Sequence, residues 1–126
     1  MPFTEIITLL ALLEYLVFVI LVGKARGQYG VKAPAVTGHE LFERAYRVQM
    51  NTLELLVLFL PALWLASRYF STMWTAGLGA LFLIGRILYA RSYVRDPASR
   101  SAGFGLSILP TLVLLGMGFA GALQLV

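Results

Sequence analysis

Cysteine is absent from the sequence. Its absence excludes disulfide bonds, thiolate metal sites and a nucleophilic thiol of the protein itself, so any sulfur chemistry must use a thiol supplied by a substrate. Histidine is scarce as well, because His39 stands alone and has no companion ligands for a metal. We therefore expect no metal site.

Charge is also scarce in this sequence. Only 13% of the 126 residues are charged and 60% are hydrophobic, whereas a soluble domain has roughly a quarter charged and half apolar residues. This composition indicates an integral membrane protein with a single domain, residues 1–126. The net charge of +4 does not indicate nucleic-acid binding, because the basic residues flank apolar runs and suit the membrane surface.

Four apolar stretches are long enough to cross a bilayer as helices, which takes about 20 residues. No basic segment precedes the first stretch and no small-residue cleavage site follows it, so a removable signal peptide is not expected. Four such spans predict an all-α, four-transmembrane-helix bundle. The helices are expected at about residues 4–23, 41–67, 73–93 and 97–126.

The connections between the spans carry much of the charge. Residues 24–41 hold three basic residues, three glycines and a proline, which predicts a loop that presents Arg26 and Tyr29 near the membrane boundary. Asp96-Pro97 predicts the start of the fourth helix, because Asp caps free amides and Pro suits the first helical position. Arg100 would then fall in the first turn of that helix.

One carboxyl lies inside the first span. Glu14 sits in the middle of an apolar run, where it must be neutral, paired or turned towards other helices. A structural role between helices and a functional role both fit this position.

Polar side chains enter the second span along one stripe. Arg47, Asn51 and Glu54 are spaced i, i+4 and i+7, which places them on one helix face. Ionisable groups at this depth are costly and usually face a bundle interior or a wet cavity, so the stripe predicts a binding site. The structural alternative is that Arg47 or Arg44 pairs with Glu43 or Glu54 and holds helices together.

The third span and the charge distribution extend this site. Arg86, Tyr89 and Tyr93 share a stripe at i, i+3 and i+7. Eight basic residues flank the spans on one side and only Arg68 lies on the other, so the first and third loops are expected in the cytoplasm and the site residues at that membrane face. The eight are Lys24, Arg26, Lys32, Arg44, Arg47, Arg91, Arg95 and Arg100.

The chemistry of these side chains predicts the type of ligand. Arginine forks bind carboxylates, Glu54 can hold an ammonium group, Asn51 can hold an amide, and tyrosines add hydroxyl groups. The complementary ligand is a small molecule with carboxylates, an amine and peptide bonds. Glutathione has these groups, and other acidic peptides have them too.

The segment ERAYRVQMNTLE, residues 43–54, contains every fixed position of the pattern E-R-x-Y-R-x-Q-x-N-x-x-E. In this pattern the sequence closely resembles the membrane-associated proteins in eicosanoid and glutathione metabolism. The resemblance extends over nearly the whole chain, through the basic first loop, the proline in the second helix and the series of tyrosines and arginines after the third helix. The resemblance implies a bacterial-type member that lies in the inner membrane and forms a homotrimer. It also implies that glutathione binds between subunits near the cytoplasmic face. The implied activity is that of a glutathione transferase or peroxidase, whose lipophilic electrophile enters from the lipid.

The resemblance also implies roles for individual residues. Arg100 matches the arginine thought to activate the thiol, and a cation near a thiol of pKa about 8.5 lowers that pKa. The Asp96-Pro97 helix start could add to the effect. The implied glutathione contacts are Arg47, Asn51, Glu54, Tyr89 and Tyr93, with Arg26 and Gln49 contributed by the neighbouring subunit.

Two positions depart from the leukotriene-forming member of that family. Leu55 replaces a tyrosine and Gly27 replaces an arginine proposed as a proton donor, which argues against leukotriene synthesis but not against thiolate chemistry. One alternative is a non-catalytic lipid- or glutathione-binding member of the lipoxygenase-activating type, against which Arg100 and the intact stripe argue. Another is a small multidrug transporter with Glu14 as its membrane carboxylate, against which the long, charged segment 24–41 argues.

Overall fold

The structure is a computed structural model that describes residues 2–126, and it consists of four long helices. All four are long and apolar enough to cross a membrane, and residues 2–126 contain no strand, which confirms the all-α class with four spans. A short 3-10 turn joins the third helix to the fourth. The elements are α1 (Phe3–Tyr29), α2 (Glu40–Ser67), α3 (Thr72–Arg95), the 3-10 turn (Pro97–Ser99) and α4 (Ser101–Ala122).

The first helix is longer than its apolar run. It continues to Tyr29, so the prediction of a loop from residue 24 is wrong for six residues, and Arg26 lies on a helix. The apolar run of α1 ends at the membrane surface, but the residues around the isolated Gly27 favour helix, so the helix continues into water. It ends at Gly30, which adopts a left-handed conformation (φ 68°) and donates its N–H to the Arg26 carbonyl.

The lone histidine begins the second helix. His39 is the N-cap of α2, and its Nδ1 accepts the N–H of Leu41 at 3.1 Å. Its ring also stacks on Tyr29 at the end of α1, with the ring centroids 4.1 Å apart. His39 therefore ties the start of α2 to the end of α1.

The connection between α3 and α4 differs from the sequence prediction. Asp96 does cap the turn, since its Oδ1 accepts the N–H of Ala98 at 3.1 Å. However, the hydroxyl of Ser99 donates to the Asp96 carbonyl at 2.7 Å within a 3-10 turn, and α4 begins only at Ser101. Arg100 consequently precedes the first turn of α4. The helix also ends at Ala122 rather than at residue 126.

The bundle packs through α2 and α3. Both α1 and α4 pack against these two helices. At the centre, the rings of Phe59 and Phe82 are fully buried and stack with centroids 3.9 Å apart. Burial of aromatic rings of this size contributes much of the packing free energy of a core.

Glycines allow α3 and α4 to approach closely beside the polar residues. A Cβ atom at Gly85 would lie 2.7 Å from the backbone nitrogen of Ser107, and a Cβ at Gly103 would overlap the backbone of Tyr89. At Gly79 a Cβ would lie 2.6 Å from the Ile7 side chain. Gly79 and Gly85 therefore permit close helix approach, whereas a Cβ at Gly77 would meet no atom within 4 Å.

Candidate binding cleft

A polar cleft of about 570 Å³ opens between α2, α3 and α4, beside the α3–α4 connection. Seven of the eight lining residues lie on these helices, and Arg100 lies in the connection just before α4. Five of the eight residues assigned to the site from sequence meet there. The lining residues are Arg47, Asn51, Tyr89, Tyr93, Arg100, Ser101, Phe104 and Gly105.

The predicted stripe on α2 forms an ion pair at the edge of this cleft. The Arg47 Nη2 atom donates to Glu54 Oε1 at 3.1 Å, and the two side chains are 47% and 56% exposed. Exposed pairs contribute only about 0–1 kcal/mol of stability, so the pairing costs little to rearrange for a charged ligand. Arg47 lines the cleft, whereas Glu54 contacts Arg47 but does not line the cleft itself.

Arg44 ties two helices together, as the structural alternative proposed, but it pairs with neither Glu43 nor Glu54. Its guanidinium pairs with Glu40 one turn earlier and donates to the carbonyls of Val94 and Arg95 at 3.0 and 3.2 Å. These bonds tie the start of α2 to the end of α3. Glu43 instead accepts the N–H of Gly38, at 3.0 Å.

Aromatic rings form one wall of the cleft. Tyr89 is buried, and its ring stacks on Tyr93 with centroids 5.5 Å apart. Phe104 of α4 lies 6.5 Å from the Tyr89 centroid in a tilted arrangement. This wall brings two phenol hydroxyl groups and an apolar ring to the same cleft. The tyrosines were predictable from their helical spacing, but Phe104 was not, because one more aromatic residue in an apolar helix carries no distinctive signal.

Arg100 gives the cleft a second cation. It lines the cleft next to the first residues of α4, and its Nη1 makes one long bond, at 3.5 Å, to the Pro97 carbonyl. None of the eight lining residues is acidic. With Arg47 and Arg100 both present, the cleft favours anionic groups, and a thiolate or carboxylate is the kind of group that it can stabilise.

Arg86 shares the predicted stripe of Tyr89 and Tyr93, but the sequence did not indicate that it bonds to a residue of the cleft. It is fully buried in α3, and its Nε donates to Ser107 at 2.9 Å. Its Nη1 donates to Asn51 Oδ1 at 2.7 Å and to Thr52 at 3.2 Å, while its guanidinium lies 4.5 Å from the Tyr89 ring centroid. A lone arginine inside an apolar span was the available signal, because such a residue needs polar partners.

Two predicted contacts lie outside this cleft. Arg26 donates to the Ala35 carbonyl at 2.7 Å, and its guanidinium lies 4.8 Å from the Phe42 ring centroid. Gln49 donates to the Tyr15 hydroxyl at 3.2 Å. Neither side chain lines the cleft of its own chain, so their role from a neighbouring subunit stays a prediction.

Glu14 lines a different cavity, which is larger and mostly apolar. This cavity has a volume of about 980 Å³ and lies between α1, α2 and α3. Its walls are leucine, isoleucine and valine side chains, with Arg91 and Arg95 towards the end of α3. The carboxyl of Glu14 is partly buried there and does not belong to the cleft that contains Arg100.

Comparison with known proteins identifies the group to which this fold and cleft belong. The sequence model of the MAPEG family matches residues 4–120. Human microsomal glutathione S-transferase 2 is 40% identical over 92% of this chain and 81% of its own length, and leukotriene C4 synthase of Cavia porcellus is 36% identical over 93% and 78%. An uncharacterized protein of Synechocystis is 52% identical over 87% and 80%. The chain therefore belongs to the MAPEG family, the membrane-associated proteins in eicosanoid and glutathione metabolism.

Proposed function

We propose that this protein is a membrane-bound glutathione transferase that joins the glutathione sulfur to a lipophilic electrophile. The observation that carries the proposal is the meeting of five residues of the predicted glutathione site in one cationic cleft. The names of the relatives support it, since they include a glutathione S-transferase and a leukotriene C4 synthase. Peroxidase activity towards a lipid hydroperoxide would use the same activated thiol.

The cleft suits glutathione in charge and in size. Glutathione carries two carboxylates, one ammonium group and two peptide bonds, and Arg47 and Arg100 offer guanidinium groups for the carboxylates or the thiolate. Glu54, half exposed beside Arg47, is available to the ammonium group. A volume of about 570 Å³ lies within the range of roughly 300–1,000 Å³ that is usual for small-molecule sites.

Arg100 would activate the thiol. A thiol with a pKa of about 8.5 is mostly protonated at neutral pH, and a fixed cation beside the sulfur shifts the equilibrium towards the thiolate. The thiol proton leaves to solvent, the thiolate attacks the electrophilic carbon, and a carbon–sulfur bond forms. The displaced group departs with its bonding electrons, or the carbanion or alkoxide formed by addition takes up a proton.

The electrophile would reach the sulfur from the lipid. Phe104 lines the cleft and is also exposed on the outer face of α4. Leu109 and Leu112, further along the same helix, are exposed as well and would contact acyl chains. A lipophilic substrate could therefore move along α4 to the cleft without entering water.

Assembly and orientation belong to the same proposal. We infer that three chains associate and that Arg26 and Gln49 complete the glutathione site of a neighbouring subunit. The first and third loops would face the cytoplasm of a bacterial cell, where glutathione and other soluble thiols are held reduced. The support is the basic asymmetry of the sequence and the position of both side chains outside their own cleft.

The experiment is a product assay on the purified protein. Glutathione is incubated with a halogenated aromatic compound, an unsaturated aldehyde or a lipid hydroperoxide, and thioether and glutathione disulfide are measured. We expect turnover of at least one electrophile by the parent and a large loss with Arg100→Ala. Binding of glutathione without turnover of any substrate would support the non-catalytic alternative, and absence of binding would contradict the proposal.

A further inference from the structure

The buried arginine of α3 offers an inference that goes beyond the identity of the contacts with glutathione. Arg86 is 0% exposed within the bundle, yet one of its partners, Asn51, lines the cleft. A single side chain thus connects the interior of the membrane span to the proposed ligand site. The inference rests on the proposed function and adds a specificity rule to it.

The chemistry of the contact fixes the orientation of the Asn51 amide. A guanidinium group has only donors and no acceptor, so the Asn51 atom that lies 2.7 Å from Arg86 Nη1 must be the oxygen. An amide group that turns its oxygen inwards presents its two N–H donors on the other side. In this arrangement Asn51 can give hydrogen bonds to a ligand in the cleft, while its oxygen is already engaged.

The surrounding helices keep Arg86 in place. Its Nε is held by Ser107 of α4 at 2.9 Å, and its Nη1 by Thr52 of α2 at 3.2 Å as well as by Asn51. The neighbouring Gly85 packs so closely on Ser107 that α3 and α4 have little room to slide. Rotating the Asn51 amide would place two donor groups against each other at this partly buried contact, and the donor left unpaired would cost free energy because it loses its hydrogen-bond acceptor.

We propose that Arg86 is a positioning residue that holds Asn51 as an obligate hydrogen-bond donor, so that the site selects a ligand with a carbonyl or carboxylate oxygen opposite Asn51. The peptide carbonyls of glutathione satisfy this requirement. A ligand that offers only an N–H at this point would meet a donor and be rejected. Arg86 itself touches no ligand and acts through the amide of Asn51.

Asn51→Asp tests the rule without removing the contact that Arg86 needs. The aspartate keeps an oxygen towards Arg86, so the fold is retained, but it turns an acceptor into the cleft in place of the two donors. Calorimetric titration of the purified protein with glutathione should show a dissociation constant raised at least tenfold. Thr75→Val is the matched control, since it removes a buried threonine hydroxyl that bonds Ser67 and neither contacts Arg86 nor lines the cleft; its dissociation constant should stay within twofold of the parent.

A double variant separates positioning from a general structural role. Arg86→Lys alone should raise the dissociation constant several-fold, because one ammonium nitrogen cannot occupy the positions of both Nε and Nη1, from which Arg86 reaches Ser107 and Asn51. When it is combined with Asn51→Asp, binding should be no more than twofold weaker than with Asn51→Asp alone, since Arg86 acts through that amide. Independent, multiplying effects would overturn the inference, as would glutathione binding by Asn51→Asp within twofold of the parent. A parent protein that does not bind glutathione would overturn the proposed function as well.

Discussion

At the scale of single residues, the fold converts costly polar groups into a site. The helical spacing of four site residues on α2 and α3 was evident from the sequence, and in the structure they meet Arg100 in one cleft. The four are Arg47, Asn51, Tyr89 and Tyr93. The stripes were predictable because helical periodicity fixes which side chains share a face. The bond between a buried arginine and Asn51 was not predictable, because it depends on how far one helix is shifted along another, and local sequence does not encode that shift.

The charged pair on α2 gives the first prediction at this scale. Arg47→Ala or Glu54→Ala should each weaken glutathione binding by about 1–3 kcal/mol, the usual contribution of a charge-assisted contact. Equilibrium binding to purified protein measures this. Arg68→Ala, which removes a cation at the other end of α2, should leave the affinity unchanged. Wild-type affinity in both site variants, with the fold intact, would show that the ligand binds elsewhere.

At the scale of helices, apolar length predicted the four spans well, and connections were less accurately predicted. Hydropathy reports where a chain leaves the lipid, not where hydrogen bonding along the helix stops, so the last six residues of α1 were missed. The 3-10 turn before α4 was missed for a related reason. Asp96 and Pro97 signal a helix start but do not specify how tightly the first turn is wound.

The close approach of α3 and α4 gives a prediction at this scale. Gly103→Ala would force a methyl group onto the backbone of Tyr89, and overpacking of this kind typically costs about 1–3 kcal/mol and sometimes more. Gly116→Ala is the matched control, because a Cβ there meets open space on the same helix. Thermal unfolding in detergent should show a lower midpoint for Gly103→Ala only. Equal midpoints for the two variants would mean that the helices are further apart than described.

At the scale of the whole molecule, charge distribution predicts how the bundle sits in its membrane. Eight basic residues lie at the end of the bundle where α1 and α3 finish and α2 and α4 begin, and Arg68 lies at the other end. The cleft lies at the basic end, because Arg47 and Arg100 line it. Orientation therefore decides whether the proposed site meets cytoplasmic glutathione.

Cysteine labelling tests this orientation, and the absence of native cysteine makes single substitutions informative. In intact cells, an impermeant thiol reagent should label Ser71→Cys and leave Lys32→Cys and Arg95→Cys unlabelled until the cells are permeabilised. The reverse pattern would place the cleft on the outer face of the membrane.

Titration of the thiol of bound glutathione measures the role proposed for Arg100. The ultraviolet absorbance of bound glutathione is followed against pH for the parent, Arg100→Ala and Arg100→Lys. A cation beside the sulfur stabilises only the charged form, so the parent should lower the pKa of the bound thiol below about 8.5, and Arg100→Ala should raise it again with little loss of glutathione affinity. Arg100→Lys should give an intermediate value, because it keeps the charge without the planar fork. Identical titration curves for the parent and Arg100→Ala, with turnover preserved, would contradict the account.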